Sequence, residues 1–175
     1  AHALSLLDRT PEGESWHLHP LLAELLRPRT EEAAALARMT AWFVERLPKC
    51  EAGQEDDQGR RWGEIHQENA ALMEWLARVP EVDWVRVERA GSLFAMHNGP
   101  FSAWLAFCER ALRHNPNDDE KSHFLWTAGN VAITAGLPDL ALEIAHQKAT
   151  LDQSRGDKRG AALSLDQIAD VLQAC

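Results

Sequence analysis

Ala128-Gly129-Asn130-Val131 and Ile168-Ala169-Asp170-Val171 are two copies of one short pattern in this chain. Gly129 and Ala169 hold the same place in the two copies, so the pattern recurs after 40 residues (169 less 129). A fixed period of about 20 to 50 residues is typical of solenoids, in which small repeated units stack on their neighbours. The turn-forming stretch Gly136-Leu137-Pro138-Asp139 lies between the copies, which predicts two helices in each unit.

The rest of the C-terminal half has the same alternation of helices and stop signals. Apolar residues recur at helical spacing, and this spacing is interrupted at Asn98-Gly99-Pro100, Asn115-Pro116-Asn117 and Arg155-Gly156-Asp157. The predicted helices cover residues 83–97, 101–113, 119–135, 138–154 and 158–175. We therefore predict an all-α fold in which antiparallel helix pairs stack over residues 81–175, and the last pair is incomplete.

The first 80 residues divide into two parts. Residues 30–80 predict a helical spacer, with helices at 30–47 and 60–79 and an exposed acidic loop at 51–59 between them. In residues 1–29, Trp16-His17-Leu18-His19 alternates in polarity, and together with Leu6-Leu7 it predicts a short β-hairpin at the N-terminus.

The charge and composition of the chain exclude several classes of function. The 175 residues include 27 acidic and 18 basic side chains, and the formal net charge of −9 argues against binding to nucleic acid or anionic membrane. No apolar run is long enough to cross a membrane. Three cysteines without a CxxC pair are typical of a reducing compartment, so we expect a cytoplasmic protein. Seven tryptophans and no tyrosine predict aromatic packing between helices.

Residues 121–154 resemble a tetratricopeptide repeat, a family unit that packs two antiparallel helices around small residues. Gly129 matches the small position of the first helix, Gly136 matches the turn, and Ala141 matches the small position of the second helix. The chain departs from the family pattern at Ala145, where an aromatic residue is usual. The proline that ends the family motif is also missing.

A second and more divergent unit covers residues 83–116. Gly91 or Ser92 takes the small position and Gly99 takes the turn, but Trp104 stands where a small residue is typical. The resemblance implies a right-handed superhelix of antiparallel helix pairs, a tetratricopeptide-like solenoid of about two and a half pairs.

Three further stretches, in their order, resemble signalling ATPases of the STAND class. The linker Ser154-Arg155-Gly156-Asp157-Lys158-Arg159-Gly160-Ala161-Ala162 is similar to the GDxRGxA linker of the 40-residue repeats in that class. Trp16-His17-Leu18-His19-Pro20-Leu21-Leu22 and then Leu25-Leu26-Arg27 resemble the end of the winged-helix module that closes an NB-ARC nucleotide-binding region. Trp62 and Glu68-Asn69-Ala70-Ala71-Leu72 resemble the helix that often follows, with an alanine in place of the leucine after Asn69.

This resemblance implies a winged-helix remnant at 1–29, a helical spacer at 30–80 and repeats at 81–175. The chain begins Ala-His-Ala, so we expect it to be a segment of a longer protein. No GxxxxGK[ST] loop is present, so this segment does not bind a nucleotide by that route, and the resemblance implies a nucleotide-binding domain upstream. The implied function is non-catalytic: a sensor that binds a protein or peptide partner and regulates that domain, in a class that includes transcriptional regulators. A free-standing tetratricopeptide adaptor is the alternative.

The expected binding surface is the concave face formed by the first helix of each pair. Its outward positions on helices 119–135 and 158–175 are His123, Trp126, Asn130, Ile133, Thr134, Asp166, Asp170 and Gln173. We predict no cofactor and no direct contact with nucleic acid or membrane. On the last helix an apolar stripe has no second helix to cover part of it, so we expect self-association through this end. The stripe consists of Leu165, Ile168, Ala169 and Leu172.

Other chemistry is possible at a few positions. His17 and His19 would lie on one side of a strand, as zinc ligands can, and they define a third hypothesis of a metal-dependent enzyme, although no third ligand is apparent. Candidate acid–base pairs are better explained as solvated charge on helix faces: His66 with Glu64, and Glu68 with Glu74. Cys108 lies on an apolar helix face and is predicted to be a packed thiol. We therefore predict no catalytic and no metal-binding residue.

Overall fold

The computed structural model describes residues 7–9, 16–18, 32–49 and 53–174. The chain divides into two compact units, residues 1–38 and residues 39–175. In the first unit, strand β1 (Leu7–Arg9) pairs antiparallel with strand β2 (Trp16–Leu18). The connection between the strands and residues 19–29 lie outside the described residues. The predicted hairpin and the winged-helix resemblance therefore stay predictions.

Helices make up nearly all of the described chain from residue 32 onward, which confirms an all-α fold for this part. Their bounds are α1 (Glu32–Arg46), α2 (Glu55–Gln67), α3 (Asn69–Arg78), α4 (Trp84–Asn98), α5 (Phe101–Arg113), α6 (Asp118–Thr134), α7 (Pro138–Ser154) and α8 (Lys158–Ala174). A single 3₁₀ turn, Glu81–Asp83, leads into α4. The bounds of α4 to α8 coincide with the predicted helices or differ by one residue at one or both ends.

The spacer differs from its prediction around α2. This helix begins inside the stretch 51–59, so the prediction of a loop is wrong for the second half of that stretch. The carboxylates in the first turn of α2 lie near the positive end of the helix dipole, where negative charge is stabilising. Asp57 also forms an ion pair with Arg61 at 2.7 Å. The single helix predicted at 60–79 is interrupted at Glu68, where α2 ends and α3 begins.

The last five helices pack in a regular order. Each packs against the next one in the chain, from α4 to α8. In addition, α4 packs against α6, and α6 packs against α8. Because the connections are short, helices that are consecutive and packed together run antiparallel. This part of the chain therefore contains two antiparallel helix pairs, α4–α5 and α6–α7, and α8 packs against both helices of the second pair.

The turns that follow α6 and α7 share one geometry. Gly136 has φ of 70° and Gly156 has φ of 69°, in the left-handed region that favours glycine. In both turns the N–H after the glycine donates to the carbonyl five residues earlier, at 2.9 Å. The turn predicted at Gly136 is confirmed. The turn at Gly156 has the same conformation and the same hydrogen bond, so α6 and α7 end in the same way.

Three tryptophans are buried between helices: Trp75, Trp84 and Trp104. Trp75 stacks on Phe43 with ring centroids 4.6 Å apart, and its indole N–H donates to Thr40 Oγ1 at 3.0 Å. The prediction of aromatic packing is confirmed at these three positions. The other described tryptophans are partly exposed: Trp42, Trp62 and Trp126.

The close contact between α4 and α5 depends on Gly91. A Cβ at this position would lie 2.3 Å from Cη2 of Trp104, so only glycine leaves room for the indole ring. Of the two residues predicted for the small position, the structure selects Gly91 rather than Ser92. Gly129 is different, because the atoms nearest to a Cβ there, on Gln167 and Ile144, lie at ordinary contact distances of 3.4 Å or more.

Candidate partner-binding cleft

Most of the residues predicted for the binding face do reach the surface of α6 and α8. Five are exposed and two, Trp126 and Asn130, are partly exposed; the exposed ones are His123, Thr134, Asp166, Asp170 and Gln173. Asn130 Nδ2 donates to Trp126 O at 2.9 Å, which holds the amide against the helix. Ile133 is also partly exposed, and it packs against a buried cluster that includes Ala132 and Val171.

A cleft of about 300 Å³ lies beside α6, the end of α7 and the start of α8. His123 and Trp126 are the predicted face residues that line it. The other lining residues are Asp119, Ser122, Lys148, Arg155, Asp157, Arg159, Gly160 and Leu163. The sequence does not predict these eight residues for the site. Asp119 and Ser122 lie on α6 itself, Lys148 lies on α7, and the other five lie in the turn before α8 or in its first two turns. The remaining predicted residues lie on the same helices but outside the cleft.

Charged side chains that line the cleft form ion pairs and hydrogen bonds with one another and with the backbone. Arg155, in the turn between α7 and α8, forms an ion pair with Asp119 and donates to Asp118 O at 2.8 Å, both at the start of α6. Asp157 Oδ1 accepts the N–H of Gly160 at 2.9 Å, and this bond holds the pKa of Asp157 below its ordinary value. The lining therefore carries three cationic and two anionic side chains, besides His123.

A buried ion pair lies beneath this cleft. Lys148 Nζ lies 2.5 Å from Asp152 Oδ2, and the two residues are 3% and 0% exposed. Ser122 Oγ donates to Asp152 Oδ1 at 2.9 Å, which connects the pair on α7 to α6. Lys148 Nζ also lies 3.4 Å from Gly160 O and from Ser164 Oγ on α8. One ammonium and one carboxylate thus bridge three helices. The i,i+4 spacing of Lys148 and Asp152 in the sequence predicts that the two side chains can pair on a helix, but it does not predict that the pair is buried.

The GDxRGxA linker has a physical explanation in this arrangement. Gly156 supplies the left-handed turn, and Asp157 caps the start of α8. A Cβ on Gly160 would lie 2.6 Å from Asp152 Oδ2 and 2.6 Å from Asp157 Oδ2. Because Gly160 has no side chain, α8 can approach the buried carboxylate of Asp152 closely, and the carbonyl of Gly160 then faces Lys148.

Gly160→Ala is expected to lower the free energy of unfolding by about 1–3 kcal/mol, because the added methyl overpacks the carboxylates of Asp152 and Asp157. Chemical denaturation followed by circular dichroism measures this. Gly129→Ala is the matched control: it is also a buried helical glycine, but it has room for a methyl group. We expect the control to be neutral or to stabilise by up to about 1 kcal/mol. Equal losses in both variants would contradict the role assigned to Gly160.

A second buried acid lies between α4 and α6. Glu88 is 2% exposed, and its Oε1 accepts the hydroxyl of Thr127 at 2.6 Å. Burial raises the pKa of Glu88, while the Thr127 bond and the charges of His123 and Arg89 act in the opposite direction. Cys108, from α5, is a free and buried thiol, as predicted. Burial raises its pKa, and the charge of Glu88 adds to the effect.

Glu88→Gln is expected to stabilise the protein increasingly as the pH rises from about 4 to 7. Since folding raises the pKa of Glu88, the unfolded chain loses this proton at a lower pH than the folded chain does. The contribution of Glu88 to stability is therefore complete below its ordinary pKa of 4.5 and declines as the pH rises toward the folded value. Glutamine keeps an acceptor for Thr127. Denaturation of both proteins at several pH values tests this, and a pH-independent difference would contradict it.

The residues considered for other chemistry have separate partners. His66 Nε2 lies 3.2 Å from Asn98 Oδ1, whereas Glu64 binds Arg46 at 3.1 Å and Arg60 at 2.8 Å. In the part of the chain that the structure describes, no three His, Cys, Asp or Glu side chains are placed to hold a metal ion. The side chain of His17 and the whole of His19 lie outside that part. No helix among the described residues has the length and apolar character needed to span a membrane.

Comparison with known proteins identified no relative: no protein-family model, curated protein or solved structure matches the chain. The function proposed below is supported by the contacts, burial and charges of this chain's own residues. The residues that matter most for it are those that line the cleft beside α6 and α8.

Proposed function

We propose that this chain is a non-catalytic interaction region that binds a protein or peptide segment in the cleft beside α6 and α8. The observation that carries the proposal is the composition of the cleft. A partly exposed indole, Trp126, and a leucine that is 44% exposed, Leu163, lie among charged and polar groups. Exposed aromatic and aliphatic surface surrounded by polar anchors suits a peptide that inserts an apolar side chain and hydrogen-bonds at the rim.

The packing order supports a solenoid for residues 81–175. Contacts between successive helices, together with contacts of α4 with α6 and of α6 with α8, are typical of stacked helix pairs. In such an array the first helices lie side by side and line one face, which is where the predicted residues of α6 and α8 lie. We propose a right-handed, tetratricopeptide-like superhelix on this basis.

We further propose that the region is a sensor within a cytoplasmic signalling ATPase of the STAND class. The order of the N-terminal stretch, the spacer and the GDxRGxA linker supports this, and Gly156, Asp157 and Gly160 each have a defined role in joining α7 to α8. A partner bound between α6 and α8 would favour one arrangement of these helices over another. Regulation of the upstream nucleotide-binding domain would then be a shift between two populations.

Two leucines two residues apart on α8 provide a matched test. Leu163 lines the cleft and is 44% exposed, whereas Leu165 is 57% exposed and lies outside the cleft. Wild type, Leu163→Ala and Leu165→Ala are immobilised, and proteins captured from an extract of the source cells are quantified by mass spectrometry. The proposal expects a partner that wild type and Leu165→Ala retain and Leu163→Ala loses. If both variants capture the same proteins as wild type, the cleft is not the binding site.

The alternative is a free-standing helical adaptor that uses the same cleft. Immunoblotting an extract of the source cells with an antiserum against this chain distinguishes the two hypotheses. A band several times larger than the 19.6 kDa of this chain supports a multidomain parent. A band near that mass supports the adaptor.

Self-association through α8 is expected, because the predicted apolar stripe is open to solvent. Leu165 is 57% exposed and Leu172 is 62% exposed, whereas Ile168 is partly buried. Light scattering should give a mass that rises with protein concentration, and Leu165→Gln/Leu172→Gln should remain a monomer over the same range. A wild-type mass that does not change with concentration and equals that of a monomer would contradict the prediction.

A further inference from the structure

A second depression lies between α5 and α7, on the side of the helix pairs formed by their second helices. Its volume is about 280 Å³. Two residues of α6, Leu125 and Ala128, are buried at 1% and 4% exposure and form its floor. Its apolar walls are Leu105 and Leu112 of α5 and Leu140 and Ile144 of α7. We call this depression the α5–α7 groove.

The charged residues that line the α5–α7 groove are both acidic. Glu109 and Glu143 are exposed, and no cationic residue is among the described lining residues. Glu109 forms an ion pair with Arg113 at 2.8 Å, but both side chains are well exposed, and such surface pairs are weak. Glu143 accepts a hydrogen bond from Gln147 at 3.2 Å. The groove is therefore apolar inside and negative along both edges.

The spacing of these residues gives the groove its length and direction. On α5, Leu105, Glu109 and Leu112 follow one another at i, i+4 and i+7, which places them on one face over two helical turns. Leu140 and Ile144 are one turn apart on α7. Two turns of helix are about 10 Å long, which is the scale on which a short amphipathic helix inserts its apolar residues into a groove between two helices.

We propose that the α5–α7 groove binds a basic amphipathic helix of a partner protein. The apolar side chains of the bound helix contact the walls formed by Leu105, Leu112, Leu140 and Ile144, and its lysine or arginine side chains face Glu109 and Glu143. Charge complementarity selects this occupant, because an acidic helix would be repelled along both edges. In this groove, a second copy of this chain, with a net charge of −9, is disfavoured for the same reason, whereas the self-association expected at α8 uses an apolar surface. The proposal does not depend on the cleft beside α6 and α8.

Two designed peptides test the proposal. Each is a labelled helix of about 14 residues, with leucines at identical helical positions and either lysine or glutamate at the remaining ones. Binding to the whole chain is measured by fluorescence anisotropy at about 0.15 M salt. We expect the lysine peptide to bind about tenfold more tightly than the glutamate peptide. Binding of neither peptide, or equal binding of both, overturns the proposal.

Matched charge reversals then locate the binding. Glu109→Lys/Glu143→Lys should reverse the preference between the peptides, whereas Asp166→Lys/Asp170→Lys changes the net charge equally on α8 and should leave it unchanged. Equal weakening by both double variants would indicate diffuse attraction to an acidic protein and would overturn the proposal. Leu140→Gln, at a position that is 37% exposed, alters no charge and should weaken binding of the lysine peptide. Unchanged binding by this variant would also count against the groove.

Discussion

Asp152→Asn is expected to lower the free energy of unfolding by about 3–5 kcal/mol. Asp152 is fully buried, and its carboxylate is the counter-charge of the buried Lys148 ammonium at 2.5 Å. The substitution keeps the size of the side chain and an acceptor for Ser122, but it leaves the ammonium of Lys148, which is 3% exposed, without its counter-charge. Removing one partner of a buried ion pair is costly because the other stays desolvated. Chemical denaturation followed by circular dichroism measures the loss.

A second substitution separates charge from packing. Lys148→Met/Asp152→Asn removes both charges, so we expect it to recover about 1–3 kcal/mol of the stability lost in Asp152→Asn. Asp166→Asn, at an exposed aspartate of α8, is the surface control and should change stability by less than about 0.5 kcal/mol. If the double variant is as unstable as Asp152→Asn, the unpaired ammonium is not the cause of the loss.

Trp104→Ala is expected to lower the free energy of unfolding by about 3–5 kcal/mol. Trp104 is 0% exposed, and its ring packs edge-on against Phe107 with centroids 5.7 Å apart. The cavity left by the indole cannot be filled from α4, because the residue facing it, Gly91, has no side chain. The indole N–H has no hydrogen-bond partner among the described residues, so the loss is one of packing rather than of hydrogen bonding. Thermal and chemical denaturation measure it.

The same contact predicts non-additive effects at Gly91. In the wild-type protein, Gly91→Ala places a methyl 2.3 Å from the Trp104 ring and should be destabilising. In the Trp104→Ala background that ring is absent, so the same substitution should cost much less. The free energies of a double-mutant cycle test this. Additive effects would mean that Gly91 is required for a reason other than the indole.

Two of the ten residues that line the candidate cleft are predictable from the sequence. His123 and Trp126 follow from the helical period of α6, because one helix face can be read from spacing alone. The sequence does not assign Arg155, Arg159 and Leu163 to the site, because they lie in the linker and on the first turns of α8, away from the face positions predicted on that helix. Their position beside Trp126 depends on how closely α8 packs on α6 and α7. No local pattern specifies that distance.

The acidic stretch before Arg60 and the glycine at position 136 differ in how clearly the local sequence specifies the structure. The composition of the acidic stretch before Arg60 predicts a loop, yet the same carboxylates are favourable in the first turn of α2. The ion pair of Asp57 with Arg61, one helical turn later, also favours the helix. At Gly136, by contrast, the signal is unambiguous, because few residues other than glycine accept the left-handed conformation.

The sequence by itself determined where the helices of residues 81–175 begin and end. Those signals act over a few residues: apolar spacing, caps, prolines and the glycine turns. Only the tertiary structure decided that Lys148 and Asp152 are buried, that Thr127 lies against Glu88, and that Gly91 accommodates Trp104. The hydrogen bond from Thr127 to Glu88 joins residues 39 positions apart. Such contacts form because helix packing brings distant segments together and removes water from between them, and the cost or gain of a charge then depends on every neighbour.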